Sequence, residues 1–240
     1  MEKFLNFVLI IFSLLGKINL YHKKGEEYKL GNLKIVKPRL SKYLTEKNFS
    51  KEDSRGDCYD LWIRNCSLEF HMEEVEFNGC KFEKVDFSSA QIRNVDFIDC
   101  VFEHCNLSGV DFSNRSIHRC SFEHCNLVGC DFIQSGLQDI SITDSKCDYV
   151  NFSSSQMKHF SIKDSVFRKG RVVDVQWSDI YFEKINFEET EFLHTKLDGI
   201  DFGNCNIDRI SVLASDVKGM IVNPEQALML ISLLGINIKD

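Results

Sequence analysis

Proline is almost missing from this chain: two residues in 240. Few positions therefore interrupt a backbone hydrogen-bond ladder. Also missing are the short motifs that carry common chemistry. There is no G-x-S-x-G, no P-loop, no H-E-x-x-H and no dinucleotide fingerprint. No apolar run approaches the roughly 20 residues of a membrane-spanning helix. The longest, FLNFVLIIFSLL at 4–15, has 12. Basic excess is missing from most of the length too. Residues 57–222 hold 16 Lys/Arg against 28 Asp/Glu, a net −12. A body of that sign repels nucleic acid phosphates and favours basic partners, so direct binding of nucleic acid is not expected.

What is present is a period. From Met72, every fifth residue through Val222 is apolar or Cys, 31 positions without a slip. They include Phe77, Phe82, Phe87, Phe97, Phe102, Phe112, Phe122, Phe132, Phe152, Phe182, Phe187, Phe192 and Phe202. Two places before each lies a smaller slot, held by residues such as Val75, Cys80, Val85, Ala90 and Val95. Arg115 is its clear misfit. Neither a helical period nor continuous strand alternation fits. A spacing of two puts both classes on one side of a short extended segment. The other three residues must turn a corner. Such a coil buries nothing alone and is stabilised by stacking on its neighbours.

The number of corners per coil is also legible. FEHCNLSGVDFS at 102–113 returns as FEHCNLVGCDFI at 122–133, with nine of twelve residues matching at an offset of 20. Four pentads per coil follow, in nearly eight coils. At about 4.8 Å per coil the rod is roughly 35–40 Å long.

Strings such as VDFSS (85–89), CNLSG (105–109), VDFSN (110–114), VNFSS (150–154) and IDFGN (200–204) resemble the pentapeptide-repeat family over about 57–222. The resemblance implies an all-β, right-handed quadrilateral β-helix. This chain uses Cys and Val more often than Ala at the small slot. The resemblance also implies a function class. Quinolone-resistance members are acidic rods of DNA-like size and charge that bind DNA gyrase or topoisomerase IV. Some of them need protruding loops, and the unbroken phase here inserts none. Most pentapeptide-repeat sequences are interaction rods of unassigned partner, and that is the first reading for this chain. No catalytic residue, cofactor or metal is assigned.

Before the repeat, residues 1–56 are basic, with 12 Lys/Arg against 6 Asp/Glu. Residues 1–30 admit three readings: a signal-like segment, a membrane anchor formed by 4–15, or untranslated sequence upstream of a start at Leu30. Residues 31–56 read as an N-terminal cap or lead-in. Cys58, Ile63 and Leu68 also run in fives, one residue out of phase with Met72, so the first coil is irregular. After the repeat, Asn223-Pro224 suits a helix start and Gly235 a stop. Leu228, Leu230, Ile231, Leu233 and Leu234 between them would cap the last coil or pair with a second copy, making residues 223–240 a possible homodimer contact.

Three surface or core features could carry chemistry. All ten Cys fall on inward slots, which suits a packed core in a reducing cytoplasm. Glu103-His104 and Glu123-His124 should stack one coil apart, and read as a duplicated surface pentad in preference to a metal site. The face of Met72, Ile92 and Phe112 is the most acidic. Its Glu73, Glu74, Asp111, Asp131, Asp174 and Glu191 form the candidate partner face, interrupted by Arg93 and Arg171.

Overall fold

The computed structural model describes residues 18–20 and 35–234. Parallel strand pairing advances by 20 residues per layer: Phe77 lies against Phe97, Phe102 against Phe122, Leu137 against Met157 and Phe192 against Val212. Four inward residues per layer define four faces, named here by Met72, Phe77, Phe82 and Phe87. Together they form a quadrilateral β-helix of about eight coils. Below Met72 the offset drops to 19, with Cys58 against Phe77 and Ile63 against Phe82. One residue lost in that coil accounts for the phase change seen in the sequence.

The thirteen phenylalanines named above are all buried. They stack between layers, as in Phe82–Phe102 at 4.8 Å and Phe102–Phe122 at 4.7 Å. Within a layer neighbouring rings meet edge to face, as in Phe77–Phe82 at 5.2 Å. Both arrangements suit the ring quadrupole. Each buried ring is worth on the order of 1.5–3 kcal/mol before ordering entropy is subtracted. Nine cysteines are buried and all ten are free. Cys66, in the irregular first coil, is half-buried and packs against the core. Arg115 escapes its inward slot by turning back, its Nε donating to the Ser113 carbonyl at 3.1 Å.

The Asp or Asn of the repeat has a local task. Its Oδ1 accepts the backbone N–H two residues on, as from Ser88 to Asp86, Ser113 to Asp111 and Gly203 to Asp201. That contact fixes the start of each corner. Asn side chains also bond between layers, Asn126 to Asn106 at 2.9 Å and Asn206 to Asn186 at 3.0 Å.

The ends differ. Phe49, 4% exposed, lies over Phe77 at 5.4 Å and closes the first coil. Residues 35–40 do not sit on that end. They run up the outside of the rod, as described below. At the far end a seven-residue helix, Pro224–Leu230, continues as a 3-10 turn, Ile231–Leu234. Asn223 caps it, and the Gln226 amide donates to the carbonyls of Phe202 and Cys205. Strand Ile18–Leu20 pairs in parallel with Met220–Val222. No helix among the described residues is long and apolar enough to cross a membrane, and residues 4–15 lie outside the description.

Candidate functional site

The corners are where this rod becomes particular. A four-sided coil must bend every five residues. At most corners it does so with one left-handed residue, two places after the large inward one, though not at Ser89, Asn204 or Ala214. Glu74, Lys84, Asn94, Asp99, His104 and Asn114 begin a series in which φ lies near +55°. Most are not glycine, although the left-handed region costs an L-residue roughly 1–2 kcal/mol. The periodic sequence gave no warning of this, because many residue types fill the slot.

The corner between the Phe77 and Phe82 faces reads Gly79, Asp99, Arg119, Asp139, His159, Asp179, Gly199 and Gly219, one residue per layer. Acidic and basic residue types alternate along its middle. Arg119 grips Asp99 with two bonds of 2.7 Å, and His159 Nδ1 lies 3.0 Å from Asp139. His159 Nε2 is 3.7 Å from Asp179. Asp99 and Asp139 are buried and Asp179 is about half exposed. Burial pushes the Asp99 carboxyl upward, but Arg119 and the Arg39 amide outweigh it and hold the group below its ordinary 3.8.

Across this corner lies the lead-in. The Val36 N–H donates to Asp139 Oδ1 at 3.0 Å, and the Arg39 N–H donates to Asp99 Oδ1 at 3.0 Å. Two partners 103 and 60 residues distant make this segment a strap. Pro38 fixes its own φ and biases Lys37 toward extended backbone. Gly79 lies beneath, where a Cβ would sit 3.9 Å from the Arg39 carbonyl oxygen and 2.7 Å from Asp60 Oδ1. Neither the strap nor the ladder is visible as a motif. Its trace in the sequence is Asp at 99, 139 and 179, an interval of 40 residues, or two coils.

Two residues of the acidic face are paired within the rod. Asp111, Asp131 and Glu191 do share one row, with Glu73 beyond the inward row and Glu74 and Asp174 on the adjoining corner. Glu73 lies within reach of Arg55, His71 and Arg93 at 3.6–3.9 Å. Glu191 pairs with Arg171 at 3.3 Å, and Asp111 accepts the Ser113 amide. Glu74 and Asp174 spend their backbone on the bend. Similar internal pairing recurs elsewhere, with Asp148 to Arg168 and Glu188 and Glu189 to Arg209.

Of the terminal apolar residues, Leu230 and Ile231 are buried in their own rod, and Leu228 and Leu233 pack partly against it. The Leu234 side chain lies outside the description. The helix is therefore a cap first. His104 and His124 stack at 4.8 Å, 8° from parallel. No group of three His, Cys, Asp or Glu able to hold a metal occurs among the described residues. The Cys130 thiol is pushed up to about 12 and that of Cys205 to about 11, chiefly by burial. Such thiols stay protonated near neutrality and are poor nucleophiles.

A four-sided solenoid on an inward five-residue period defines the class, and comparison agrees with it. The model of the pentapeptide repeat region matches residues 95–172 and 115–192. Across residues 95–192, then, the chain is similar to the pentapeptide-repeat family. A search of curated proteins gives no match. Among solved structures it is similar to a trypsin-treated variant of QnrB1, a plasmid-mediated fluoroquinolone resistance protein. The identity is 21%, over 78% of this chain and 96% of the other, with a TM-score of 0.40. Full-length QnrB1 gives 16% identity over 73% and 100% of the two chains, with a TM-score of 0.33. HetL, a pentapeptide repeat protein involved in heterocyst differentiation regulation from the cyanobacterium Nostoc sp. strain PCC 7120, gives 10% over 70% and 90%, with a TM-score of 0.27. Overlaps this loose carry no functional argument.

Proposed function

We propose that this protein is a non-enzymatic rod that works by binding another protein along its outer surface. One observation carries the reading: the inward rows are consumed by packing, so variation is confined to the outward rows and corners. The buried cysteines are packed in the core, which leaves those side chains to structure. They also suit a reducing compartment, and cytoplasmic location is part of the proposal. Affinity capture from the native host tests it. One partner should be enriched on the native rod and lost after charge reversal at exposed corner residues. Capture that ignores such changes would count against the reading.

A second reading is a DNA mimic that binds gyrase or topoisomerase IV and protects against quinolones. It is favoured by the net −12 of residues 57–222. A gyrase supercoiling assay with a quinolone tests it directly. Neither protection nor inhibition at micromolar rod would remove it. Two further proposals concern assembly and location. The segment 223–240 would join two rods, which sedimentation would read as a dimer. Residues 4–15, if retained, would link the rod to a membrane, which fractionation would reveal.

A further inference from the structure

The strap is an extended peptide already seated on the rod, and its geometry can be read as that of a ligand. Its two donating amides, Val36 and Arg39, are three residues apart. Three residues of extended or polyproline-type chain cover about 9–10 Å. Their acceptors, Asp139 and Asp99, are 40 residues apart in a coil of 20. Two layers at about 4.8 Å cover about 9.6 Å. The two periods match: three peptide residues per two coils.

The corner between acceptors is built to hold them. Arg119 orients Asp99 from the next layer, and His159 orients Asp139 in the same way. The same interval places a third carboxylate at Asp179. It is 53% exposed and reached at 3.7 Å by His159. Past it the corner is open at Gly199, while the Asp198 side chain lies over Gly219. The strap's own sequence at 35–40, IVKPRL, supplies two cations and a proline against these acids.

We infer that this corner is a track for an extended, basic, proline-containing peptide of a partner protein, and that the strap is a self-ligand whose described residues hold two of its three rungs. The inference rests on the protein-binding reading above and assigns that binding to one corner. Recognition is through main-chain N–H groups at every third residue, so the partner is specified by spacing and backbone more than by side chains. Access requires displacement of the strap.

The test uses the full chain and a fluorescein-labelled peptide of residues 33–42, LKIVKPRLSK. Native protein should bind it weakly, because the covalent strap competes at high effective concentration. The double variant Val36→Pro, Arg39→Pro removes both donating N–H groups and should bind it at least tenfold more tightly. The same peptide N-methylated at the positions of Val36 and Arg39 should lose that gain. Asp179→Asn on the double variant should weaken binding severalfold, and its exposure makes loss of folding no explanation. Hydrogen exchange of native Val36 and Arg39 gives a separate readout, and both amides should be protected. Equal binding of the N-methylated peptide would overturn the inference, since it would mean charge attraction without a track. So would no binding by the double variant, or unprotected strap amides. None of these failures touches the wider interaction reading, which is decided by capture of a partner.

Discussion

The inward Phe rows and the Asp99–Asp179 corner run parallel along one rod, yet they follow opposite rules. Within the core each rung resembles the next, and Phe102 does for Phe82 and Phe122 what they do for it. Along the middle of the corner acidic and basic residue types alternate, and each has a partner of its own. The core sets distance and direction; the corner spends that regular spacing on particular contacts. A repeat protein can thus be uniform where stability lies and individual where recognition lies.

The largest expected effect separates these roles. Phe102→Ala removes a fully buried ring stacked on both sides and should cost about 3–5 kcal/mol, read as a lower urea midpoint. Because coils couple mainly to neighbours, a broadened transition would show the rod splitting into two folding units. Asp99→Ala should cost less, about 2–3 kcal/mol, from a buried pair losing one member. Arg119 is about a quarter exposed and recovers part of its hydration. The Asp99 carboxyl is lower in the folded state than its ordinary 3.8. Its contribution is therefore complete above about pH 4 and is lost as pH falls through the lower folded value. Melting of native protein and Asp99→Ala should differ at pH 6 and converge near pH 2. A difference that persists in acid would mean that packing, not charge, is what Asp99 supplies.

How much of this was legible depends on whether a residue's task repeats. The inward series from Met72 to Val222 was readable because one physical demand recurs at one interval. The phase change at 68–72 was readable for the same reason, and it appears as a 19-residue coil. The strap was not readable, since Val36 and Arg39 contribute only backbone N–H groups, which every residue but proline possesses. The acidic face was legible as charge, but the pairing of Glu73 and Glu191 was not. Their partners Arg55, Arg93 and Arg171 come from other layers. Cys66 packs against the core as its spacing predicts, half-buried in the irregular coil.

A smaller effect tests whether the core is as indifferent to detail as it looks. Ser155 fills a small inward slot, and its buried Oγ finds no hydrogen-bond partner among the described residues. The equivalent Ser135, Ser145, Thr190 and Thr195 each donate to a carbonyl. Ser155→Ala removes the unsatisfied hydroxyl and should stabilise the rod by about 1 kcal/mol, seen as a raised melting temperature. The same change at Thr195 should destabilise it.

The smallest effect lies at the bends, where backbone strain and unfolded-chain entropy oppose each other. Gln134 is an exposed, left-handed corner residue with φ of 55°, and its N–H bonds the Ser153 carbonyl at 3.0 Å. Glycine there relieves roughly 1 kcal/mol of left-handed cost but adds about 0.5–1 kcal/mol of unfolded-state freedom. The net change for Gln134→Gly should fall within about 0.5 kcal/mol of zero. Valine, whose branched Cβ tolerates positive φ poorly, should lose about 1 kcal/mol at the same site. If Gln134→Val were as stable as the native chain, the bends would impose no conformational selection. The mixture of residue types at the corners would then follow from tolerance alone. If the expected loss appears, non-glycine corners carry real strain, and the core described above is what holds them in place.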